Sequence, residues 1–267
     1  MALILNHFIT KHPKWVVLTG AGVSLSSGIP TYRDEKGEWQ RSKPIQHQEF
    51  IQSAYVRRRY WARSLLGWST VALAEPNPAH FALAELERRG QIELLISQNV
   101  DNLHQRAGSQ KVVDLHGNLS RVVCLSCGTL SSRAELQKIM YEANPHFAEL
   151  VAETRPDGDA NVEGEIIEQF KPPYCAVCGG DLMPDVVFFG GTVPSARVET
   201  CMQALEQADA LVVIGSSLKV YSGYRFCVKA KELNKPIALI NPGWTRADDL
   251  AQLKITEPCA AVLESLL

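Results

Sequence analysis

Short apolar runs, each bounded by polar residues or glycine, recur at residues 15–18, 92–96, 186–189, 210–214 and 237–240. Runs this short and this continuous predict strands buried on both faces, as in a parallel sheet. Between them, apolar positions return at helical spacing over 49–66, 78–89, 196–207 and 224–233. The alternation predicts an α/β fold, a Rossmann-like doubly wound parallel sheet with ligands at the carboxyl edge of its strands. Two stretches break the rhythm. Residues 42–76 read as helix without a strand, and residues 122–183 hold four paired cysteines and the turn-like RPDGD at 155–159. Together they are expected to form a second, smaller domain, leaving 1–41, 77–121 and 184–267 to the Rossmann-like one.

Composition narrows the class. The 267 residues are 46% apolar and 21% charged with a net charge of -2, an ordinary globular balance that gives no long-range attraction for nucleic acid or an anionic membrane. No window approaches the roughly 18 apolar residues of a membrane span. The opening MALILNHFITKHPKW lacks the features of a secretion signal, so the reducing cytoplasm is the expected location. Seven cysteines, an odd number, then point to metal or redox chemistry rather than a disulfide framework. Cys201 and Cys227, in apolar-periodic surroundings, read as small buried hydrophobes.

Cys124-x-x-Cys127 and Cys175-x-x-Cys178 present four thiolates that can close a tetrahedral, all-sulfur sphere, the arrangement zinc favours in structural sites. The 47 residues between the pairs are tolerable because loop-closure cost grows only logarithmically. A redox dithiol would open a helix after a strand, whereas these pairs run into the turns C-G-T and C-G-G. One structural zinc ion is the expectation.

The strand ends carry the remaining chemistry. Gly20-Ala21-Gly22 follows the first strand and could offer backbone N–H groups to a diphosphate, although any strand-to-helix turn can use glycine. Gly28 stands too far on to be the third glycine of the dehydrogenase fingerprint G-x-G-x-x-G. Arg33 lies in a proline-punctuated loop, suited to an anion or simply to solvent. Gln98, Asn99 and Asp101 follow the second strand, where α/β enzymes place polar site residues. His116, before Gly117 at another strand end, is placed as a general base would be, although a lone histidine there is more often structural. His80 and His104 read as structural. Gly215-Ser216-Ser217 and Asn241 bring further polar groups to the same edge.

Taken in order, GAGVS, GIPTYR, QNVD, LHG, the two C-x-x-C pairs, FFGG, GSSL and INPG resemble the signature blocks of the sirtuins, NAD-dependent protein lysine deacylases, across essentially the whole chain. PIQH, RYWAR, PNPAH, PDGD, PDVVFFG and SSLKVYSGYRF are similar to the class II branch, which includes a mitochondrial protein. On that branch the location would be the mitochondrial matrix if the chain were eukaryotic and already processed. The resemblance implies that NAD is consumed rather than used for hydride transfer, which fits the displaced glycine, and that the residues after Gly22 form a mobile cofactor-binding loop. It implies that Gly20, Ala21, Gly22, Tyr32, Arg33, Gln98, Asn99, Val100 and Asp101 hold the diphosphate, ribose and nicotinamide parts. Gly215, Ser216, Ser217, Asn241, Pro242, Gly243 and Cys259 would line the adenosine half. Asn99 and Asp101 would share in catalysis, and His116 would act as general base for the ribose hydroxyl once the acyl oxygen has displaced nicotinamide. The products would be free lysine, nicotinamide and an acyl ester of ADP-ribose.

An acyl-lysine protein or peptide would enter along Val186, Phe189 and Gly190 by strand addition, with the chain acting as a monomer, without nucleic acid or membrane. Two departures fall on the segments expected to hold the peptide: Gly191, where many sirtuins have glutamate, and Tyr221-Ser222-Gly223, where they commonly have a proline. Tyr60 and Arg63, one helical turn apart, resemble the Tyr-x-x-Arg pair of sirtuins that remove negatively charged acyl groups, so acidic or longer acyl chains are expected. The alternative is that the pair packs and solvates its helix. Mono-ADP-ribosyl transfer to protein is the competing enzymatic reading; a dehydrogenase and a zinc-bearing binding module are the others.

Overall fold

The computed structural model describes residues 2–31, 44–147, 164 and 166–267. In chain order the elements are α1 (Ala2–Lys11), β1 (Trp15–Thr19), α2 (His47–Gln52), α3 (Ala54–Leu73), α4 (Pro78–Arg88), β2 (Ile92–Ser97), α5 (Leu103–Arg106), β3 (Val112–Asp114) and β4 (Gly117–Cys124). They continue with β5 (Leu130–Ser132), α6 (Arg133–Ala143), α7 (Ile166–Gln169), β6 (Leu182–Val186), α8 (Ser195–Gln207), β7 (Ala210–Ile214), α9 (Tyr221–Glu232), β8 (Ile237–Ile240), β9 (Leu253–Ile255) and α10 (Cys259–Glu264).

Six strands form one parallel sheet in the order β3-β2-β1-β7-β8-β9. The order reverses at β1, so the loops after β1 and β7 open a crevice where a Rossmann-like fold binds its ligand. Every residue of β1, β7 and β8 is buried, which is why their sequences are continuous apolar runs. Alternate residues of β1 feed two cores. Trp15 and Val17 pack with Leu83, Leu86, Val212 and Leu263 on one face, and Val16 and Leu18 with Leu205, Val213, Phe226 and Leu239 on the other.

The smaller sheet is antiparallel, β5-β4-β6, and packs under α3 and α6 on its own core of Phe50, Tyr60, Trp61, Leu65, Val122, Phe170 and Leu182. Here the structure corrects the sequence reading. The run at 186–189 is not a buried parallel strand. The strand is Leu182–Val186 and it pairs antiparallel with β4, its proline tolerated because β6 is an edge strand. The boundaries drawn at 121/122 and 183/184 fall inside β4 and β6, whose near ends, Leu119 and Val186, pack in a separate small cluster with Ile29, Val71 and Leu103. The helical pattern at 49–66 is two helices, broken at Ser53, which leaves α2 in an extended conformation and caps α3 by accepting from the Val56 N–H at 3.3 Å.

Candidate active site and metal centre

The stretch after Gly20 opens with a 3-10 helix, Ala21–Ser27, closed by Gly28 in the left-handed region at φ 82°; the rest of the loop expected after Gly22 runs into residues 32–43, outside the described residues. Gly28 thus ends a helical turn rather than easing a helix against the sheet, which accounts for the displaced third glycine. Gly20 and Gly22 serve backbone packing. A Cβ on Gly20 would lie 2.7 Å from Ser216 Cβ, and one on Gly22 would lie 2.9 Å from Gly215 Cα. Their N–H groups donate to Ile214 O (3.0 Å) and Gly215 O (2.8 Å), so two of the three N–H groups of Gly20-Ala21-Gly22 are already taken within the protein. Tyr32, Arg33 and RPDGD lie outside the described residues.

The turn after β2 is tied to this 3-10 helix. Asn99 Nδ2 donates to Gly20 O (3.1 Å) and to Ser24 Oγ (3.0 Å), and Ser24 Oγ donates to Asp101 Oδ2 at 2.7 Å. Asp101 also accepts from the Leu103 N–H at 3.0 Å. Burial raises the Asp101 pKa above the usual carboxylate range, partly offset by these hydrogen bonds. Gln98 Nε2 donates to Thr19 O (3.1 Å) and Ser216 Oγ (2.8 Å), so one side chain joins the ends of β1, β2 and β7.

His116 stands between β3 and β4. Its carbonyl accepts from the Val187 N–H at 2.8 Å, and its ring spans two partners: Nδ1 meets Gln98 O at 2.9 Å and Nε2 meets Ser222 Oγ at 2.8 Å. A carbonyl can only accept, so Nδ1 carries the hydrogen and Nε2 holds the lone pair. Burial pushes the His116 pKa below its ordinary value, and Arg197 and Arg225 push the same way against the Gln98 carbonyl. The ring is therefore neutral at pH 7, with its basic nitrogen at the strand edge, as a general base requires.

Other histidines are structural, as their sequence positions suggest. His80 Nδ1 accepts from the Asn77 N–H (3.2 Å) in a capping box at the start of α4, and His104 Nε2 bonds Thr19 Oγ1 at 2.9 Å. Cys201 and Cys227 are fully buried among apolar residues. Cys259 begins α10 beneath β8, its Sγ 3.6 Å from Ile240 O, and Asn241 Nδ2 donates to Gly243 O at 2.9 Å. Tyr221-Ser222-Gly223 is the first turn of α9 and not an extended segment. Tyr60 packs edge-on against Phe50, Trp61 and Phe188, with ring centroids at 5.5, 5.1 and 5.4 Å, while Arg63 is buried on the same helix. The sequence assigns Ser24 no role of its own and places Ser222 only in a segment expected to hold the peptide. Serines in GVSLSS and VYSG carry no spacing signal of their own, and only the fold brings them to Asp101 and His116.

The four paired cysteines converge, their Sγ atoms all within 4.8 Å of one another. Cys124 and Cys178 are 3.5 Å apart, Cys127 and Cys175 3.7 Å. Four thiolates about 2.3 Å from one zinc would be about 3.8 Å apart, so the donor set fits one tetrahedral ion. The two knuckles are built alike. Gly128 N donates to Cys124 O (3.0 Å) and Gly179 N to Cys175 O (2.8 Å), and each glycine has φ 71°.

A parallel sheet with polar groups gathered at its switch point, beside a four-cysteine module, defines a nucleotide-using α/β protein with a structural metal centre. A family model described as Sir2 family matches residues 20–222, and the chain belongs to that family. It is 52% identical over 98% of its length to an NAD-dependent protein deacetylase of Xanthomonas axonopodis pv. citri, covering 89% of that protein. It is 47% identical over 97% of its length to the mitochondrial NAD-dependent protein lipoamidase sirtuin-4 of Bos taurus, covering 83% of it. A solved Sir2 complex with a p53 peptide and NAD+ superposes with a TM-score of 0.79 at 26% identity, covering all of this chain and 97% of the other.

Proposed function

We propose that this chain is an NAD-dependent protein lysine deacylase that transfers an acyl group from lysine to ADP-ribose and releases nicotinamide. The observation that carries the reading is His116, neutral, with Nδ1 anchored on Gln98 O and Nε2 presented at the nucleotide edge of the sheet. NAD supplies the chemistry of a ribose carbon that becomes electrophilic as nicotinamide leaves. Gln98 and Ser216 on one side and Asn99, Ser24 and Asp101 on the other are the groups that would hold it. His116 Nε2 takes the proton of the ribose hydroxyl. Deacylation is favoured over mono-ADP-ribosyl transfer by the names of the relatives, a deacetylase and a lipoamidase.

For the acyl group, Tyr60 and Arg63 support acidic or longer chains. Tyr60 touches Phe188, next to the Phe189 and Gly190 expected to receive the peptide, which supports a place for its helix near the substrate. Bacterial relatives named as protein deacetylases support action on protein substrates in the cytoplasm, and a net charge of -2 gives no long-range attraction for nucleic acid. No helix among the described residues is long and apolar enough to cross a membrane. The test is mass spectrometry of NAD incubated with acetyl-, succinyl-, glutaryl- and lipoyl-lysine peptides, on the wild type and His116→Ala. The wild type should give nicotinamide and acyl-ADP-ribose, and His116→Ala should lose ~10²-fold or more of that turnover. Retention above about a tenth would remove the general-base role. Arg63→Met should cost acidic acyl substrates more than neutral ones; equal losses would refute the carboxylate-reading role.

A further inference from the structure

The imidazole of His116 is held at both nitrogens, and only one of the holders belongs to the loop that carries the nucleotide-edge residues. Gln98 O comes from the turn after β2. Ser222 Oγ, 2.8 Å from Nε2, comes from the first turn of α9, more than a hundred residues away in the chain. Because Nδ1 faces a carbonyl and must carry the hydrogen, Nε2 has only its lone pair, and the Ser222 hydroxyl is the donor.

Four features show that the contact is built. The hydroxyl is not spent on capping α9, whose N-cap is Val220 and makes no side-chain cap bond. The next residue has no room for a side chain: a Cβ on Gly223 would sit 2.5 Å from Gln98 Oε1 and 2.9 Å from Gln98 Cδ. Gln98 in turn is fixed by Thr19 O and Ser216 Oγ, so the first turn of α9 docks against the residue that holds the other ring nitrogen. The backbone of His116 is itself anchored through Val187.

We propose that Ser222 is a positioning residue for the general base: its hydroxyl fixes the rotation and tautomer of His116, and gives up the lone pair when the substrate hydroxyl arrives. The inference rests on the reading of His116 as the base. A freely rotating imidazole would present Nε2 to the edge for only part of the time, and rotation would cost the Nδ1 bond to Gln98 O. With Ser222 in place, the reactive geometry exists before substrate binds, and the protein rather than the substrate meets the ordering cost. The charged groups facing the ring are Arg197 of α8, which lies 3.7 Å from Asp185 of β6, and Arg225 of α9. Both lower the basicity of the ring through their charge, while Gln98 and Ser222 make its hydrogen bonds.

The test compares Ser222→Ala, Ser222→Thr and Ser222→Val with the wild type and His116→Ala, in steady-state kinetics and in the ¹⁵N-histidine spectrum of the free enzyme. A net hydrogen bond of this kind corresponds to a loss of roughly three- to tenfold. The expectation is that Ser222→Ala and Ser222→Val lose kcat by that factor while the KM for NAD holds, and that Ser222→Thr, which keeps the hydroxyl, recovers most of it. In the spectrum the imine nitrogen of His116 should move toward the position of a free lone pair in the Ala and Val variants only. Unchanged or raised kcat in Ser222→Ala with an unmoved resonance overturns the proposal, as does an equal loss in Ser222→Thr. Should His116→Ala itself keep turnover, the base assignment falls, and the spectrum still reports separately whether Ser222 holds the ring.

Discussion

The two sheets solve the problem of standing up in different ways. In the parallel sheet, β1, β7 and β8 are buried at every residue, and apolar side chains fill both faces. In the smaller sheet β5 is mostly exposed, and its single core is crossed by polar groups. Arg133 is 1% exposed, its guanidinium over the rings of Trp61 and Trp68 at 5.6 and 4.7 Å, with Nη1 donating to Gln137 Oε1 and Nη2 to Ser64. Apolar side chains fill both faces of the first region, so its strand ends can be given to close-packed glycines and to polar side chains that can meet a ligand. The second region adds to its apolar core a buried cation and four converging thiols that fit one zinc ion.

The largest expected effect follows from the metal. Structural zinc contributes apparent binding free energy of order 10 kcal/mol to folding, more than most domains have to spare. Cys175→Ala, or a strong chelator, should release zinc and abolish the folded packing of the small module. The buried sheet should keep its far-UV signal and lose it at a separate, higher temperature. A zinc-free protein with one cooperative transition at the wild-type temperature would erase the contrast between the two regions.

Arg133 sharpens the same contrast. Burial pushes its pKa down to about 10, still far above neutrality, so it remains charged at the centre of the module. Arg133→Ala would leave Ser64 and Gln137 without their donor and open space between two tryptophans, a loss of about 3 kcal/mol by chemical denaturation. Arg133→Met, which keeps much of the volume, should lose distinctly less, because a buried cation is often replaceable by an apolar side chain of its size. If both variants cost under about 1 kcal/mol, the guanidinium is not part of what holds the module.

The same division decides what could be read from the sequence. The buried parallel strands and the two C-x-x-C pairs are local signals, and β1, β2, β7, β8, α4, α8 and the zinc donors are found where the pattern puts them. The three-residue edge strands β3 and β9 are too short to show a period, and Pro184 hides β6, which ends where the apolar run begins. At the site, Gln98, Asn99, Asp101 and His116 announce themselves by standing at strand ends. Ser24 and Ser222 do not, because their roles depend on partners 77 and 106 residues away.

The smallest effect concerns a polar group inside the large region, where burial otherwise rules. His80 is fully buried, and burial lowers its pKa from 6.5 to about 4. The folded state therefore keeps it neutral, as the bond from the Asn77 N–H to Nδ1 requires. Between about pH 6.5 and pH 4 the unfolded chain binds the proton and the folded one does not, so stability falls as pH falls. At pH 5 that difference is about 2 kcal/mol. Asp101, with a raised pKa, contributes the opposite slope, and His104, depressed by burial and by His80, adds to the fall. The term belonging to His80 must therefore be isolated by difference. His80→Gln keeps an acceptor for the capping box at the same helical position but cannot titrate. Urea denaturation at pH 7 and pH 5 should show the wild type losing about 2 kcal/mol more than His80→Gln across that interval. Equal losses would mean that a proton reaches His80 in the folded state without disturbing α4, and that the large region accommodates buried charge as readily as the module around Arg133.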